Sequence, residues 1–315
     1  METTLHIPLV GIDWGTTHRR AYAITAQGTC TQEMADDQGA LASQGNFEAA
    51  LKQALGALNT DTDCVIMAGM VGSALGWHEV PYADQELALE DLGKHLFAVP
   101  AGTTAPPRFI VPGYRVRNAW GQPDVMRGEE TQLLGAVVQG HSDGWFVLPG
   151  THSKWVELQD GRVRQLRTYM TGELFDLLGR HGTLAAAAGV GTPVWDATAF
   201  ANGVRVSGQR ALSHMLFASR ALVVCGDMPA ASTRSYLSGL LIGTELKDVM
   251  HSHASTGTGA LSPSQQRFQL IGSPELARHY QTAADLLSLQ FNILDPKAAF
   301  LAAVSHLYQH AQKNT

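Results

Sequence analysis

The sequence predicts an α/β protein built from two domains, and two observations carry this prediction. Two short apolar runs each end in a loop rich in glycine and hydroxyl residues, and a second strand-like run follows each loop. One of these hairpins contains Gly11–Thr17 near the N-terminus, and the other contains Leu148–Lys154 near the middle. A length of 315 residues is enough for two domains or one large domain. One hairpin in each half of the chain therefore favours two domains.

The other predicted elements are strands and helices in the pattern expected of an α/β protein. Before the second hairpin, apolar runs predict strands at 8–13, 19–25, 63–68 and 108–112. Helices are predicted from Asn46, which is a favourable N-cap, to Leu58 and from Met126 to Gln139. After that hairpin, further helices are predicted at 172–181, 195–208, 210–220 and 231–250. A late strand at Arg267–Ile271, a terminal helix from Pro296 and surface loops at 101–107 and 251–264 complete the prediction.

The composition argues against nucleic acid or a membrane as a partner. The formal net charge is −6 and no basic run is present, so the chain lacks the charge that binds polyanions. No signal pattern opens the chain, and no apolar stretch reaches the ~20 residues of a membrane span. Three scattered cysteines, Cys30, Cys64 and Cys225, show no metal or disulfide spacing. We therefore expect a cytoplasmic enzyme.

The first hairpin has the residues of a phosphate and metal site. Asp13 closes a buried strand, and one carboxylate is enough for Mg²⁺ when waters and substrate phosphates supply the other ligands. Gly15 permits a close backbone approach, and the N–H groups of Gly15, Thr16 and Thr17 could point at phosphate oxygens. An ordinary hairpin with a polar tip is the alternative interpretation.

The second hairpin repeats this arrangement with a lysine. Gly150, Thr151, Ser153 and Lys154 lie between two short strands, and the Lys154 ammonium suits phosphate. A plain hairpin with a solvated lysine again remains the alternative. Because both halves of the chain carry such a tip, we predict that the protein grips a polyphosphate.

Several segments resemble the 2-dehydro-3-deoxygalactonokinase family, which is also called the 2-keto-3-deoxygalactonate kinase family. They are Gly11–Thr17, Ala68–Ser73 with Gly76–Trp77, Met126–Gln132, Leu148–Trp155, Tyr169–Phe175 and Ser238–Glu245. The most distinctive strings are PGTHSKW and MTGELF, whereas the D-x-G-T-T string is shared by the superfamily of sugar kinases, heat-shock chaperones and actin. The chain departs from many superfamily members at Leu148-Pro149, where they carry an acidic residue.

This resemblance implies two ribonuclease H-like domains of the actin and sugar-kinase type with a central cleft. It implies a first domain at 1–140, completed by the terminal helix 296–315, and a second domain at 141–295. ATP and Mg²⁺ are the implied cofactors. The turn at Gly272-Ser273 resembles an adenosine-binding turn, and Gly226 could line the same pocket. From the residues alone, a plain turn with Ser273 as N-cap is equally compatible.

Phosphoryl transfer needs a carboxylate that orients the attacking hydroxyl. Glu130 is our first candidate, because its segment also resembles the catalytic-glutamate segment of superfamily polyphosphate hydrolases. Asp124 is the second candidate and Glu173 the third. All three could instead be favourable charges at helix N-termini.

Recognition of a sugar acid needs a partner for its carboxylate. Arg127 is the first choice, since a guanidinium fork matches a carboxylate and since it shares a segment with Glu130. The loop from Gly69 to Ser73 could close over the sugar, with Trp77 stacking on its apolar face. Trp77 is equally compatible with a place in the core. His251 and His253 lack a third ligand nearby and are better read as loop residues.

These interpretations lead to one leading function and two alternatives. The resemblance implies an ATP- and Mg²⁺-dependent kinase that phosphorylates 2-dehydro-3-deoxy-D-galactonate at its 6-hydroxyl. The partners are then a small-molecule sugar acid and ATP, and a homo-oligomer is compatible with the sequence. A superfamily phosphohydrolase acting on polyphosphate or a phosphorylated nucleotide is the alternative, and a nucleotide-dependent switch or filament protein is the third reading.

Overall fold

The structure is a computed structural model that describes residues 5–100, 102, 105–118, 120–189, 194–255 and 267–312. Its strands are β1 Leu5–Ile7, β2 Leu9–Trp14, β3 Arg19–Ile24, β4 Cys30–Asp36, β5 Thr60–Thr62, β6 Val65–Gly69, β7 Ala83–Asp84, β8 Phe97–Ala98, β9 Arg108–Ile110, β10 Tyr114–Arg117, β11 Pro123–Met126, β12 Gly144–Leu148, β13 Ser153–Gln159, β14 Arg162–Tyr169, β15 Arg267–Ile271 and β16 Gln290–Leu294. Its helices are α1 Phe47–Ala57, α2 Glu129–Val138, α3 Thr171–Arg180, α4 Gly182–Ala188, α5 Ala197–Val206, α6 Leu212–Val224, α7 Thr233–Ser255, α8 Pro274–Leu286 and α9 Pro296–Ala311.

Two sheets share one strand order. The first runs β4-β3-β2-β6-β9-β8, and the second runs β14-β13-β12-β15-β16. In the first sheet, β3 lies antiparallel to both β2 and β4, while β6 and β9 lie parallel to β2 on its other side. Numbered from each hairpin onward, both sheets read 3-2-1-4-5, and the first carries β8 as an extra edge strand. The predicted α/β class is confirmed, and each predicted phosphate hairpin opens one of the two sheets.

The chain divides into two compact units by its contacts. Unit 1 contains Met1–Gly144, Trp155–Arg167 and Leu294–Thr315, and unit 2 contains Trp145–Lys154 and Thr168–Ile293. The predicted boundaries at 140 and 295 of two ribonuclease H-like domains stay a prediction. None of the helices within the described ranges is long and apolar enough to cross a lipid bilayer.

Close helix packing in unit 1 depends on a glycine. A Cβ atom placed on Gly135 of α2 would lie only 1.8 Å from the carbonyl oxygen of Ala299 in α9, so no larger residue fits there. Helix α9 also covers β2, since a Cβ on Gly11 would approach Val304 and Phe300 at 3.0 and 3.2 Å. The core of this unit therefore includes the C-terminal helix.

Unit 2 has the same device between α5 and α7. A Cβ on Gly203 would lie 2.2 Å from the backbone carbonyl oxygen of Tyr236, and one on Gly239 would lie 2.0 Å from the backbone carbonyl oxygen of Phe200. The two helices therefore pack backbone against backbone, and this brings α7 deep into the unit.

Several predicted elements differ from the structure. The helix predicted from Met126 begins at Glu129, because Pro123–Met126 forms β11 against β10 and Gly128 turns the chain at a φ of 111°. Helix α7 continues to Ser255, through the first residues of the loop predicted at 251–264, and residues 256–264 lie outside the described ranges. Within the loop predicted at 101–107, residues 101, 103 and 104 also lie outside them.

Candidate active site

Asp13 lies near the end of β2 in the first hairpin. It pairs with Arg20 across the hairpin, and its Oδ2 lies 3.3 Å from Arg20 Nη1. Burial raises the pKa of the Asp13 carboxyl, and the Arg20 guanidinium opposes this rise. Its side chain keeps 26% of its surface exposed, so the carboxylate is accessible to a ligand.

The tip of this hairpin is shaped by backbone hydrogen bonds. Gly15 N–H donates to the His18 carbonyl at 2.9 Å, so in this conformation that group is used inside the hairpin. The carbonyls of Gly15, Thr16 and Thr17 accept bonds from the segment 39–41. Thr16 and Thr17 are exposed, and among the described residues no protein group accepts from their N–H groups. These two N–H groups are the ones that a phosphate could reach.

Three segments meet at the carboxyl edge of β2 and β6. Gly69 ends β6 opposite Trp14, has a φ of 93°, and would place a Cβ only 2.7 Å from the Trp14 oxygen. A Cβ on Gly128 would lie 3.3 Å from the Gly69 Cα. Because Asp13 precedes Trp14, the structure brings Asp13, Gly69 and the segment that begins α2 to one edge of the sheet. Ligands of open α/β sheets commonly bind at such an edge. We call the group Asp13, Gly69, Arg127 and Glu130 the strand-edge site.

Glu130 is fully buried in the first turn of α2. Its carboxylate accepts the Gly128 N–H at 2.7 Å and the Thr131 hydroxyl at 3.1 Å. Burial, and secondarily the charge of Glu129, raises the pKa of Glu130 to about 7. A carboxyl with such a pKa is ready to exchange a proton near neutral pH.

Arg127 precedes Glu130 by three residues, and part of its guanidinium is unpaired. Its Nη2 donates to the Val80 carbonyl at 2.8 Å, and its Cζ lies 4.3 Å from the centre of the Tyr82 ring. Its Nε and Nη1 are buried and have no hydrogen-bond partner among the described residues. Because buried polar groups are nearly always paired, each of these donors marks a place for an acceptor such as a carboxylate oxygen.

The other predicted residues of unit 1 lie in different surroundings. Asp124 lies within β11, where one carboxylate oxygen accepts its neighbour's N–H. The Ser73 hydroxyl closes a turn by donating to the Met70 carbonyl at 2.8 Å. Trp77 stacks on Phe47 with ring centres 6.1 Å apart, and Arg108 lies over the same indole. Trp77 also borders a cavity of about 420 Å³ lined by residues 44–48 and 74–77, so it belongs both to the core edge and to this cavity.

The second hairpin is hydrogen-bonded to the buried carboxylate of Glu245. Ser153 donates to Glu245 at 2.7 Å, and its Oγ lies 3.2 Å from the Tyr280 hydroxyl, so its hydroxyl is already engaged. Lys154 is buried as well, and its Nζ donates to Thr168 Oγ1 at 2.9 Å. At the tip, the Thr151 carbonyl accepts from Glu173 N–H, and His152 Nε2 lies 2.6 Å from a Glu173 carboxylate oxygen.

A cavity of about 520 Å³ lies in unit 2 beside this hairpin. Its lining includes Gly150 of the hairpin and Ser273, which caps α8 by accepting from Leu276 N–H. Trp195 and His279 also line it and stack on each other, with ring centres 4.5 Å apart and a 6° angle between the planes. The structure therefore brings two separately predicted nucleotide segments onto one cavity with an aromatic wall.

Gly272 and Gly226 differ in their relation to this cavity. Gly272 packs on Pro149, since a Cβ there would lie 3.1 Å from Pro149 Cδ. Gly226 lies just after α6 in an exposed turn with a φ of 81°, and it is not among the residues that line the cavity.

Glu245, Tyr280 and Trp195 were not predicted as site residues. A sequence signal existed for Glu245, because a lone carboxylate follows the apolar run Gly239–Gly243 in a helix. No such signal marks Tyr280, whose partners lie 35 and 127 positions away. Among the described residues, no group of three or more His, Cys, Asp or Glu could hold a metal ion. A Mg²⁺ site that uses one carboxylate and substrate phosphates fits Asp13.

Comparison with known proteins gives a consistent result. Residues 13–307 match the family model described as 2-keto-3-deoxy-galactonokinase. Over 277 residues the chain is 36% identical to the 2-dehydro-3-deoxygalactonokinase of Escherichia coli K12. The aligned region covers 84% of this chain and 90% of that protein. Over 300 residues it is 36% identical to a Rhizobium meliloti protein assigned the same activity, with 93% and 94% covered. A crystal structure from Sinorhizobium meliloti with this assignment has a TM-score of 0.83 at 32% identity, with 97% and 96% covered.

Proposed function

Because the chain belongs to the 2-keto-3-deoxy-galactonokinase family, we propose that it transfers the γ-phosphoryl group of ATP to the 6-hydroxyl of 2-dehydro-3-deoxy-D-galactonate. The observation that carries the substrate class is the guanidinium of Arg127, with two buried N–H donors that no described residue accepts. A sugar acid supplies a carboxylate oxygen that such a charged donor binds, whereas an ordinary hexose offers no charged acceptor. The phosphohydrolase alternative has no support from the relatives found.

Each residue of the strand-edge site has a different role in this proposal. Arg127 binds the carboxylate of the sugar acid, and Gly69 lets the backbone approach the sugar. Glu130 receives the proton of the attacking 6-hydroxyl, for which its pKa of about 7 is suited, with Asp124 as the alternative base. The hydroxyl oxygen forms a bond to the γ-phosphorus while the bond to the β-phosphate oxygen breaks, so that ADP leaves.

Mg²⁺ and the nucleotide complete the proposal. Asp13 would hold Mg²⁺, which neutralises charge on the phosphates when bound. In unit 2, the adenine ring of ATP would lie against Trp195 and His279, and its phosphates would lie near Gly150 and Thr151 of the second hairpin. Since Ser153 is engaged with Glu245, we assign its hydroxyl to holding the hairpin instead of contacting phosphate. The three cysteines are free, which fits a reducing compartment, and the proposal places the enzyme in the cytoplasm.

A coupled ADP-release assay with ATP and MgCl₂ tests this function. The panel should contain 2-keto-3-deoxy sugar acids, their epimers and ordinary hexoses. We expect turnover with the galactonate-derived acid and little with the hexoses, because only the acid offers Arg127 a carboxylate. Phosphate release that is independent of any acceptor would overturn the kinase and favour a hydrolase. Nucleotide binding without turnover of any acid would favour a switch protein.

A further inference from the structure

Helix α7 contributes a buried carboxylate that the proposed chemistry does not use. Glu245 is 1% exposed, and its two oxygens accept from three hydroxyl groups. Ser153 donates to Oε1 at 2.7 Å, Thr171 donates to Oε2 at 2.5 Å, and Tyr280 lies 3.0 and 2.9 Å from the two oxygens. Burying a carboxylate is costly, so a position that keeps one has to be explained by what the carboxylate holds.

The three donors come from three different parts of unit 2. Ser153 opens β13 directly after the second hairpin loop, Thr171 begins α3, and Tyr280 lies within α8. Thr171 and Tyr280 also line the 520 Å³ cavity. A single carboxylate therefore ties the hairpin loop to two walls of the proposed nucleotide cavity.

An ionised carboxylate suits this geometry. Its two oxygens accept up to about four hydrogen bonds and donate none, so all three hydroxyls can point at it together. Burial, followed by the Glu245 charge, raises the pKa of Tyr280 well above its usual value, which keeps the phenol protonated as a donor. A glutamine at this position would turn an NH₂ group toward at least one hydroxyl that now donates.

Backbone contacts make the loop sensitive to this link. A Cβ on Gly172 would lie 2.3 Å from the Gly150 oxygen, so the start of α3 lies directly against the loop. Glu173 N–H donates to the Thr151 carbonyl at 2.9 Å. A shift of Thr171 or Ser153 would therefore move the loop backbone itself.

We propose that Glu245 is a positioning residue that fixes the second hairpin loop for the phosphate chain of the nucleotide. It touches neither substrate, and it acts through Ser153 and Thr171. The inference rests on the proposed function, because it requires that a nucleotide occupies the unit 2 cavity. It predicts a specific defect: loss of Glu245 weakens the binding of phosphates while the binding of the nucleoside is kept.

Isothermal titration with two probes, ADP with MgCl₂ and adenosine, tests this at a temperature well below unfolding. For Glu245→Gln we expect ADP to bind about 10-fold more weakly, as for loss of a charge-assisted hydrogen bond, and adenosine to bind within twofold of wild type. Leu246→Val, at the next and fully buried position of α7, is the matched control and should leave both affinities unchanged. Thr171→Val removes one of the three donors and should give the same pattern with a smaller loss.

Each other outcome has a distinct meaning. If wild type binds neither probe, the proposed nucleotide function fails, and the role of Glu245 fails with it. If wild type binds ADP and Glu245→Gln binds it equally well, only the positioning role is overturned. Equal losses for ADP and adenosine, with a lower melting temperature, would make Glu245 a purely structural residue and would also overturn the inference. If Glu245→Gln does not fold, Thr171→Val decides between these outcomes.

Discussion

The two hairpins occupy the same place in their sheets and treat a carboxylate in opposite ways. The first hairpin carries Asp13 in its own strand, and the side chain stays partly exposed beside Arg20. The second hairpin has Leu148-Pro149 at the corresponding place, and its carboxylate, Glu245, comes from α7 and lies buried beneath the loop. One hairpin carries a partly exposed carboxylate, and the other is contacted by a buried one.

This difference teaches that a repeated supersecondary unit need not repeat its chemistry. The surroundings of the first hairpin contain Arg127 and Glu130, a cation with unpaired donors and a carboxyl with a pKa of about 7. The surroundings of the second contain a large cavity with an aromatic wall. We therefore expect that substitutions around the first hairpin change turnover and sugar binding, and that those around the second change nucleotide binding.

Glu130→Gln should have the largest effect of the four substitutions. Unchanged turnover in this variant would contradict the proposed difference between the two hairpins. We expect kcat/KM to fall about 10²–10⁴-fold, the usual worth of a general base, while ADP affinity stays unchanged. A carboxyl with a pKa of about 7 is protonated below that pH and cannot accept a proton, so wild-type kcat/KM should fall as the pH drops through about 7. A pH–rate profile measures both effects. If the fall in kcat/KM at low pH persists in Glu130→Gln and disappears in Asp124→Asn, the catalytic base is Asp124.

Asp13→Asn should rank next. Loss of the one carboxylate at the strand end should lower kcat about 10²–10³-fold and raise the Mg²⁺ concentration needed for half-maximal activity. Kinetics across a MgCl₂ series test this. Asp37→Asn is the matched control, because Asp37 is exposed and bonds His18 of the same hairpin at 2.8 Å. A similar loss in both variants would contradict a metal role for Asp13.

Arg127→Met sharpens the comparison on the substrate side. We expect KM for the sugar acid to rise about 10–100-fold, since hydrogen bonds to a charged group contribute about 1.5–3 kcal/mol each, while KM for ATP stays unchanged. Steady-state kinetics with each substrate varied in turn measure this. Arg117→Met, on the exposed face of β10, should leave both constants unaltered. A rise in KM for ATP alone would refute the assignment of Arg127 to the sugar acid.

Trp195→Ala should have the smallest effect and should act only on the nucleotide. An aromatic stacking pair contributes about 0.5–1.5 kcal/mol beyond burial, so ADP affinity should fall about 3–10-fold with the sugar-acid KM unchanged. ADP should also alter tryptophan fluorescence in wild type and not in this variant. Trp120→Ala, a tryptophan that is 84% exposed in unit 1, is the control. If ADP changes the fluorescence of Trp195→Ala as much as that of wild type, the adenine ring binds elsewhere.

The sequence predicted the parts of the fold that have strong hydrophobic patterns. The strands of both hairpins and the strand at Arg267–Ile271 are apolar and bounded by turn residues, and the terminal helix begins at a proline. Strand β4 was missed because it alternates between half-buried and exposed residues, and β16 was missed because it is largely exposed. A sheet edge has little apolar signal, so pairing with its neighbour is what defines it.

The site was predictable only where residues act locally. Arg127 and Glu130 share one short segment, and the structure places both at the strand edge with Gly69. The bond from Ser153 to Glu245 joins positions 92 residues apart, and no local pattern indicates such a partner. The degree of burial of Glu130 is likewise a property of the packed unit, and it is the main cause of its raised pKa.

The place of α9 in unit 1 has a consequence for synthesis on the ribosome. The residues of unit 2 lie between the two main parts of unit 1 in the sequence, so they are complete before α9 is made. Strand β2, which carries Asp13, is covered by Phe300 and Val304 and cannot complete its packing until α9 has emerged. Domains generally fold as units during synthesis, so the residues of unit 2 can fold while β2 still lacks the helix that covers it. A nascent chain that stalls before α9 would therefore contain every residue that lines the 520 Å³ cavity, while β2 would still lack the helix that covers it.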